Sequence, residues 1–357
     1  MICLNEKEVF LKRVAGLWEQ LESSIEACLI EDPTDLYYLT GLSLSKGSLL
    51  LTRKKQLLLV DDRYFQSAVE KAIVVVKRDL PIAWEEFFAH SLFKTIAFDS
   101  EKISCERYLG FQKFHKEFIA CPNLLKNVRA IKDTVEIGKI TMSAQLLRRG
   151  FSHICSLLKV GITEKELSKE FEIFCLQQGA DGLAFEPIIA FGKNSAIPHY
   201  HSQNVALQSK DVVLIDIGIV VDHYHSDMTR VVFFEEPHLR LSYLYQIVKQ
   251  AQKAALDLCA PGVTLAELDL VAREVFKKYD LEPFFLHSLG HGIGLTTHEF
   301  PRISHQDKEA QVLLQKNMVI TIEPGLYLPD IGGVRYEDMV LITEEGYRFF
   351  YPIAPDE

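Results

Sequence analysis

The segment VVLIDIGIVVDHYHSDMTRVVFF, residues 212–234, sets two aspartates, Asp216 and Asp227, inside runs of β-branched residues. Such runs read as two strands around the turn Val221-Asp222. That register pairs residue 220 with 223 and Asp216 with Asp227, with Cβ atoms roughly 5 Å apart. Two carboxylates forced together in a sheet repel unless a cation sits between them. Their spacing suits a site for two ions about 3.5–4 Å apart. An aspartate that faces solvent or caps a turn is the bland alternative, and the apolar surroundings weigh against it.

Further along, HSLGHGIGLTTHEFP places His287, His291 and His298 around Gly290, Gly292 and Gly294. The alternating glycines argue against a helix and for a chain that passes close to a ligand or turns sharply. No His-Glu-x-x-His is present, which excludes a zincin. VITIEPG ends an apolar strand on Glu323, and GGVRYEDMVLIT sets Arg335 and Glu337 two apart, on one face of a strand. A glutamate in such a run is costly unless paired, with Arg335 as a candidate partner, or ligating. The candidate donors are thus four carboxylates and one imidazole. Oxygen-rich donors favour manganese, cobalt or iron over a thiolate-type zinc site. Water held by such ions ionises near neutral pH, so the chemistry expected is metal-assisted hydrolysis.

These residues need a scaffold. An amphipathic helix from Glu6 to Leu21 opens the chain, and SLLLTRKKQLLLVDD reads as a hairpin around Arg53-Lys54-Lys55. AIVVVKRD and KTIAFDS read as strands, with a helix from Trp84 to Phe93 between them. The pattern breaks near Ala120-Cys121-Pro122-Asn123, which predicts domains at 1–124 and 125–357. A long helix is expected from Ile131 to about Val160, stopped by Gly161. Capping signatures at Thr163-x-x-Glu166 and Thr264-x-x-Glu267 open two more, and another runs from Leu241 to Cys259. Strands are expected around Ile188 and Val212.

With 357 residues, 48% hydrophobic and 25% charged, the chain has material for two globular domains. Its net charge of −10, with no basic cluster, argues against nucleic acid as a partner. The seven cysteines, at 3, 28, 105, 121, 155, 175 and 259, form no Cys-x-x-Cys pair and read as reduced thiols. The N-terminus has no signal-peptide core, and VVLIDIGIVV is too short and too polar to cross a bilayer. A cytoplasmic protein without a membrane partner is expected.

Together the segments resemble the pita-bread metallopeptidases, the family of methionine aminopeptidase, aminopeptidase P and prolidase. DIGIVVDHYHSDMTR is similar to its Asp-x-Gly … Ser-Asp-x-Thr-Arg pattern, HSLGHGIGLTTHE to its histidine segment, and ITIEPGLYLPDIGGVRYEDMVLIT to its two-glutamate segment. FEPIIAFGKNSAIPHY is similar to the stretch that supplies a substrate-side histidine, here His199. LYYLTGLSLSKGSLLL and LLLVDDRYFQSA resemble the N-terminal domain of the proline-specific members and creatinase. His223 stands where many relatives have Gly.

The resemblance implies an α/β (α+β) protein. Its C-terminal pita-bread domain has a curved, mainly antiparallel sheet covered by helices, and a smaller creatinase-like α/β domain precedes it. Asp216, Asp227, His291, Glu323 and Glu337 would hold two divalent ions, manganese first, with cobalt, iron or zinc as alternatives. Glu323 would also accept a proton, and His199 and His298 would contact the scissile peptide. His287 would line a proline pocket, with Arg335 and Tyr327 supporting or contacting substrate. A homodimer is implied too. The implied activity is removal of an N-terminal residue before proline. The open site of aminopeptidase P is favoured because the Gly-Ile-Gly segment resembles its short bacterial forms. Prolidase, which takes Xaa-Pro dipeptides, is the alternative within the enzymes. A catalytically inactive peptide-binding module and metal-free creatinase are disfavoured, because all five ligands are present.

Overall fold

A computed structural model describes residues 6–89, 92–236 and 238–352. The chain folds as two compact units, Met1–Arg129 and Ala130–Glu357.

The first unit opens with α1 (Glu6–Gln20), β1 (Ala27–Ile30) and α2 (Pro33–Thr40). The hairpin β2 (Ser48–Thr52) and β3 (Gln56–Val60) follows, then α3 (Asp62–Lys71) and β4 (Val75–Arg78). The remaining elements are α4 (Pro81–Ala89), β5 (Thr95–Phe98), α5 (Cys105–Phe111), β6 (Glu117–Ala120) and α6 (Lys126–Ala130). The strands form one mixed sheet in the order β4-β3-β2-β1-β5-β6. One face packs Trp84, Phe88, Phe93 and Phe111 against Leu29, Leu50 and Ile96. α4 starts three residues before its expected start and ends at Ala89; Phe93 is not in a helix.

The second unit begins with α7 (Thr134–Ser156), α8 (Glu164–Gln177), β7 (Gly182–Leu183) and β8 (Ile188–Phe191). The long hairpin β9 (Val212–Val221) and β10 (Tyr224–Phe233) comes next, then α9 (Leu239–Leu258) and α10 (Leu265–Lys277). Seven short strands close it: β11 (Gly290–Gly292), β12 (Glu299–Ile303), β13 (Val319–Ile322), β14 (Gly325–Leu328), β15 (Gly332–Arg335), β16 (Asp338–Ile342) and β17 (Tyr347–Phe349). β7 and β8 pair with β9, the order β12-β11-β13-β16-β17 makes a second sheet, and β14 pairs with β15. All of these pairings are antiparallel. A bridge from Thr229 to Glu337 joins the hairpin to the later strands.

The helix ends follow side-chain chemistry. α7 is shorter at both ends than its apolar spacing predicts, because Asp133 and Glu136 form a capping box that sets its start. Thr163 with Glu166 and Thr264 with Glu267 form the capping boxes expected of α8 and α10. Gly150 lets α7 lie against α8, since a Cβ there would stand 2.7 Å from the Phe171 ring. Ser143 on α7 donates to Ile219 O at 3.2 Å and meets Ser226 Oγ at 2.8 Å, tying that helix to the hairpin.

No described helix is long and apolar enough to cross a membrane. Six cysteines are free thiols; Cys3 lies outside the described residues.

Two glycine substitutions separate close backbone approach from simple helix propensity. At Gly290 a Cβ would stand 2.0 Å from the Thr321 carbonyl oxygen, whereas nothing lies within 4 Å of one at Gly138, exposed on α7. Gly290→Ala is expected to lower the melting temperature by several degrees, an overpacking cost of about 1–3 kcal/mol or more. Gly138→Ala should instead stabilise by about 0.5–1 kcal/mol. Thermal denaturation of the two variants checks the contrast.

Candidate active site

The hairpin register differs from the one expected. The turn is Asp222-His223, with φ of 48° and 68°, and Val221 pairs with Tyr224. A turn with φ above zero at both central positions matches strand twist, and β-branched Val221 cannot take that conformation while Asp and His can. Asp216 therefore stands opposite Thr229, and Asp227 opposite Gly218. The aspartates remain on one face as diagonal neighbours. Diagonal pairs sit about 7–8 Å apart, against about 5 Å for direct ones, which leaves room for an ion.

The later strands bring the rest. Glu323 directly follows β13, and Glu337 lies in the two-residue link between β15 and β16. Arg335 ends β15, so it does not share a strand with Glu337 as expected. Its ion pair is with Asp216, while its Nε donates to Thr229 Oγ1 at 3.0 Å. Thr229 in turn donates to Glu337 Oε2 at 2.7 Å.

Donor atoms of Asp227, His291 and Glu337 all lie within 4.8 Å of one another. His291 Nε2 is 3.4 Å from Glu323 Oε1 and 3.8 Å from Asp227 Oδ2. The other ring nitrogen, Nδ1, is 3.1 Å from Gly292 O. A carbonyl only accepts, so the hydrogen sits on Nδ1 and the bare Nε2 lone pair faces the carboxylates. Burial and neighbouring His298 push this imidazole's pKa down to about 4, so the ring is neutral. A lone pair aimed at carboxylate oxygens is repulsive until a proton or a cation lies between them. Metal-ligating histidines take this form, donating the second N–H to a carbonyl.

The carboxylates carry the same signature. Asp216 Oδ1 and Asp227 Oδ1 are buried without a hydrogen-bond partner. Burial, followed by the charge of Glu337, holds the carboxyls of Asp227 and Glu323 well above the usual range. Glu337 is pushed up to about 8 by burial and by Asp216. Among the described residues, Arg335 is the cation that acts on all three groups. Orphaned oxygens, raised carboxyls and an inward lone pair fit a bound divalent cation.

The other expected residues gather around this cluster. His199, His287 and His298 line the same cavity of about 590 Å³. Tyr327 stands behind it: Arg335 donates to the Tyr327 hydroxyl at 2.5 Å, and His287 Nε2 is 2.9 Å from that hydroxyl. His287 Nδ1 lies 2.8 Å from Ser288 O, so it carries the hydrogen and Nε2 accepts from Tyr327. With burial and Arg335 pushing its pKa down to about 3, His287 is neutral with both nitrogens engaged. Burial also lowers His298. Residue spacing does not single out Thr229, which sits inside the aspartate segment, nor Phe185, Tyr200 and Arg302, which line the cavity. Only the fold places those last three there.

The chain matches metallopeptidase family M24 over residues 138–344 and the creatinase/prolidase N-terminal domain over residues 13–131. It is 35% identical to an Xaa-Pro dipeptidase of Pyrococcus furiosus, over 92% of this chain and 93% of that one. The structure of an X-Pro aminopeptidase from Thermotoga maritima superposes with a TM-score of 0.85 at 32% identity, covering 92% and 96% of the two chains. That of an Xaa-Pro dipeptidase from Bacillus anthracis gives 0.91 at 29%, covering 97% and 99%. Pita-bread folds of this kind are what the sequence implied.

Relief of carboxylate crowding supplies a test. In metal-free protein, Asp227→Asn should raise the melting temperature by about 2–4 °C, roughly 1 kcal/mol. Added Mn²⁺ or Co²⁺ at a hundred times its dissociation constant should stabilise the unsubstituted protein by about 2.7 kcal/mol. The variant should gain far less. Thermal shift with and without the ions checks both, and equal gains would contradict the placement of Asp227 at the cation.

Proposed function

The chain belongs to metallopeptidase family M24, and on that premise we propose that it hydrolyses the bond between an N-terminal residue and a following proline. The observation that carries the metal part is the inward Nε2 of neutral His291 among buried carboxylates. Asp216, Asp227, His291, Glu323 and Glu337 would hold two divalent ions, manganese first. Four carboxylates against one guanidinium leave more negative charge than a single divalent ion offsets. Such ions would lower the pKa of water and polarise the peptide carbonyl.

The protein's own groups supply the rest. Glu323 takes the proton released as water attacks. His298 and His199, far apart in sequence but in one cavity, donate N–H groups to the carbonyl oxygen as it gains charge. His287 has no free donor or acceptor and presents ring surface. That suits proline, whose imide nitrogen has no hydrogen to satisfy. The names of the relatives support proline as the residue after the cleaved bond.

Arg302 favours Xaa-Pro dipeptides as the main substrates. Its side chain is 66% exposed, lines the cavity, and has Asp307 as an ion-pair partner only at 3.9 Å. A guanidinium so placed can take a free carboxylate bidentately. The Thermotoga neighbour supports the longer-peptide reading, in which that carboxylate is absent. Free thiols at all six described cysteines suit a cytoplasmic enzyme.

Incubation of the Mn²⁺-loaded protein with Xaa-Pro and with Xaa-Pro-Xaa-Xaa decides between them. Faster cleavage of the dipeptide, lost selectively in Arg302→Ala, is expected. Cleavage of the longer peptide alone would restore the aminopeptidase reading, and cleavage of Met-Ala peptides without proline would overturn both. His298→Ala should keep the metal, measured by elemental analysis, and lower kcat by roughly 10²–10⁴-fold. Asp222→Asn, at the turn, should change neither.

A further inference from the structure

Glu164 is a fully buried carboxylate at the first turn of α8, and no ion pair neutralises it among the described residues. Its oxygens are instead saturated by four donors. Oε1 accepts from Phe191 N at 2.8 Å and from Asn194 Nδ2 at 2.9 Å. Oε2 accepts from the Tyr200 hydroxyl and from Gln203 N, both at 2.9 Å. Asn194 Nδ2 also donates to the Tyr200 hydroxyl at 2.9 Å, which closes the network. The positive end of α8 favours the charge as well.

All four donors come from one segment, residues 191–203, wound around this carboxylate. That segment has little regular structure of its own beyond a single short 3-10 turn, Gly192–Ala196. It carries Pro198, His199, Tyr200 and His201 to the cavity wall. It also abuts the strand that ends on Arg335. Gly333 N donates to Ser195 Oγ at 2.8 Å, and a Cβ on Gly333 would stand 2.1 Å from Ser195 O. A saturated carboxylate is thus the peg that sets where His199 points.

We infer that Glu164 is a positioning residue that acts through His199, fixing its imidazole over the scissile bond by clamping residues 191–203. Its kinetic consequence rests on the Xaa-Pro reading above. An isosteric amide cannot replace the peg. Each oxygen accepts from a backbone N–H, so whichever way a glutamine is turned, its NH₂ meets a backbone donor. A shift of about 1 Å in a group that contacts the reacting atoms costs roughly 10²-fold in rate.

The experiment is a double-mutant cycle in the Mn²⁺-loaded enzyme with an Xaa-Pro dipeptide. Glu164→Gln should lower kcat roughly 10²-fold, with Mn²⁺ stoichiometry by elemental analysis unchanged. Adding His199→Ala to Glu164→Gln should then cost less than about 3-fold, far below its cost alone. Tyr200→Phe, which removes one of the four donors, is the milder variant should Glu164→Gln not fold, and should show the same non-additivity. Additive losses would overturn the inference. A second readout needs no turnover: in ¹⁵N-histidine-labelled metal-free protein, the His199 ring signals, identified by their loss in His199→Gln, should move in either variant. Unmoved signals would overturn it. An enzyme that cleaves no Xaa-Pro substrate would sink the proposed function, while the ring signals would still decide the role of Glu164.

Discussion

Mutual repulsion among buried carboxylates is the constraint around which the second unit is built. Asp227, Glu323 and Glu337 all sit in surroundings that raise their carboxyl pKa values, and His291 aims a bare lone pair into the same space. Protons or a bound cation must offset this, because removing unpaired charge from water is costly. Arg335 offsets part of it through Asp216, and the remainder is the reason for reading the site as a metal centre. The coupling runs both ways. The strands hold the donors in place, and a cation in turn stabilises the strands that hold them.

Around the donors lies a layer of hydrogen bonds that fixes their directions. The chain Arg335, Tyr327, His287, Ser288 leaves each hydrogen one place to be, so the His287 tautomer follows from a guanidinium two groups away. A second network anchors the backbone. Arg230 donates to the carbonyl of Glu337 at 2.6 Å and to Asp338 Oδ1 at 2.6 Å. Gln252 on α9 donates to Asp338 Oδ2 at 2.9 Å and to the carbonyl of Ile322 at 3.2 Å, next to Glu323. One buried aspartate thereby links the two glutamate-bearing turns. Hydrogen bonds in such a buried, low-dielectric setting hold their members to fixed directions, although Arg230 Nε itself has no partner among the described residues.

Much of the protein is legible without coordinates. The capping boxes of α8 and α10 and the strands flanking Arg53-Lys54-Lys55 follow from local chemistry, since capping and alternation are decided within a few residues. The placement of all the candidate donors around one cavity could be anticipated too, because aspartates, glutamates and histidines in β-branched or glycine-rich runs have few other reasons to be there. The hairpin register could not be read from strand propensity alone. It depends on which residues accept positive φ, and Val221 excludes itself.

What the sequence by itself determined is the inventory: the donor types, their grouping on short segments, and the family that those segments resemble. The tertiary structure decided the relations. Residues more than a hundred positions apart, Asp216 and Arg335, form an ion pair, while Arg335 and Glu337, two apart, do not. Arg302, Tyr200 and the peg at Glu164 carry no local signal, because a single Arg, Tyr or Glu is ordinary on any surface. Their roles arise only where distant strands and loops converge, and convergence is set by burying the shared core rather than by any neighbour in the chain.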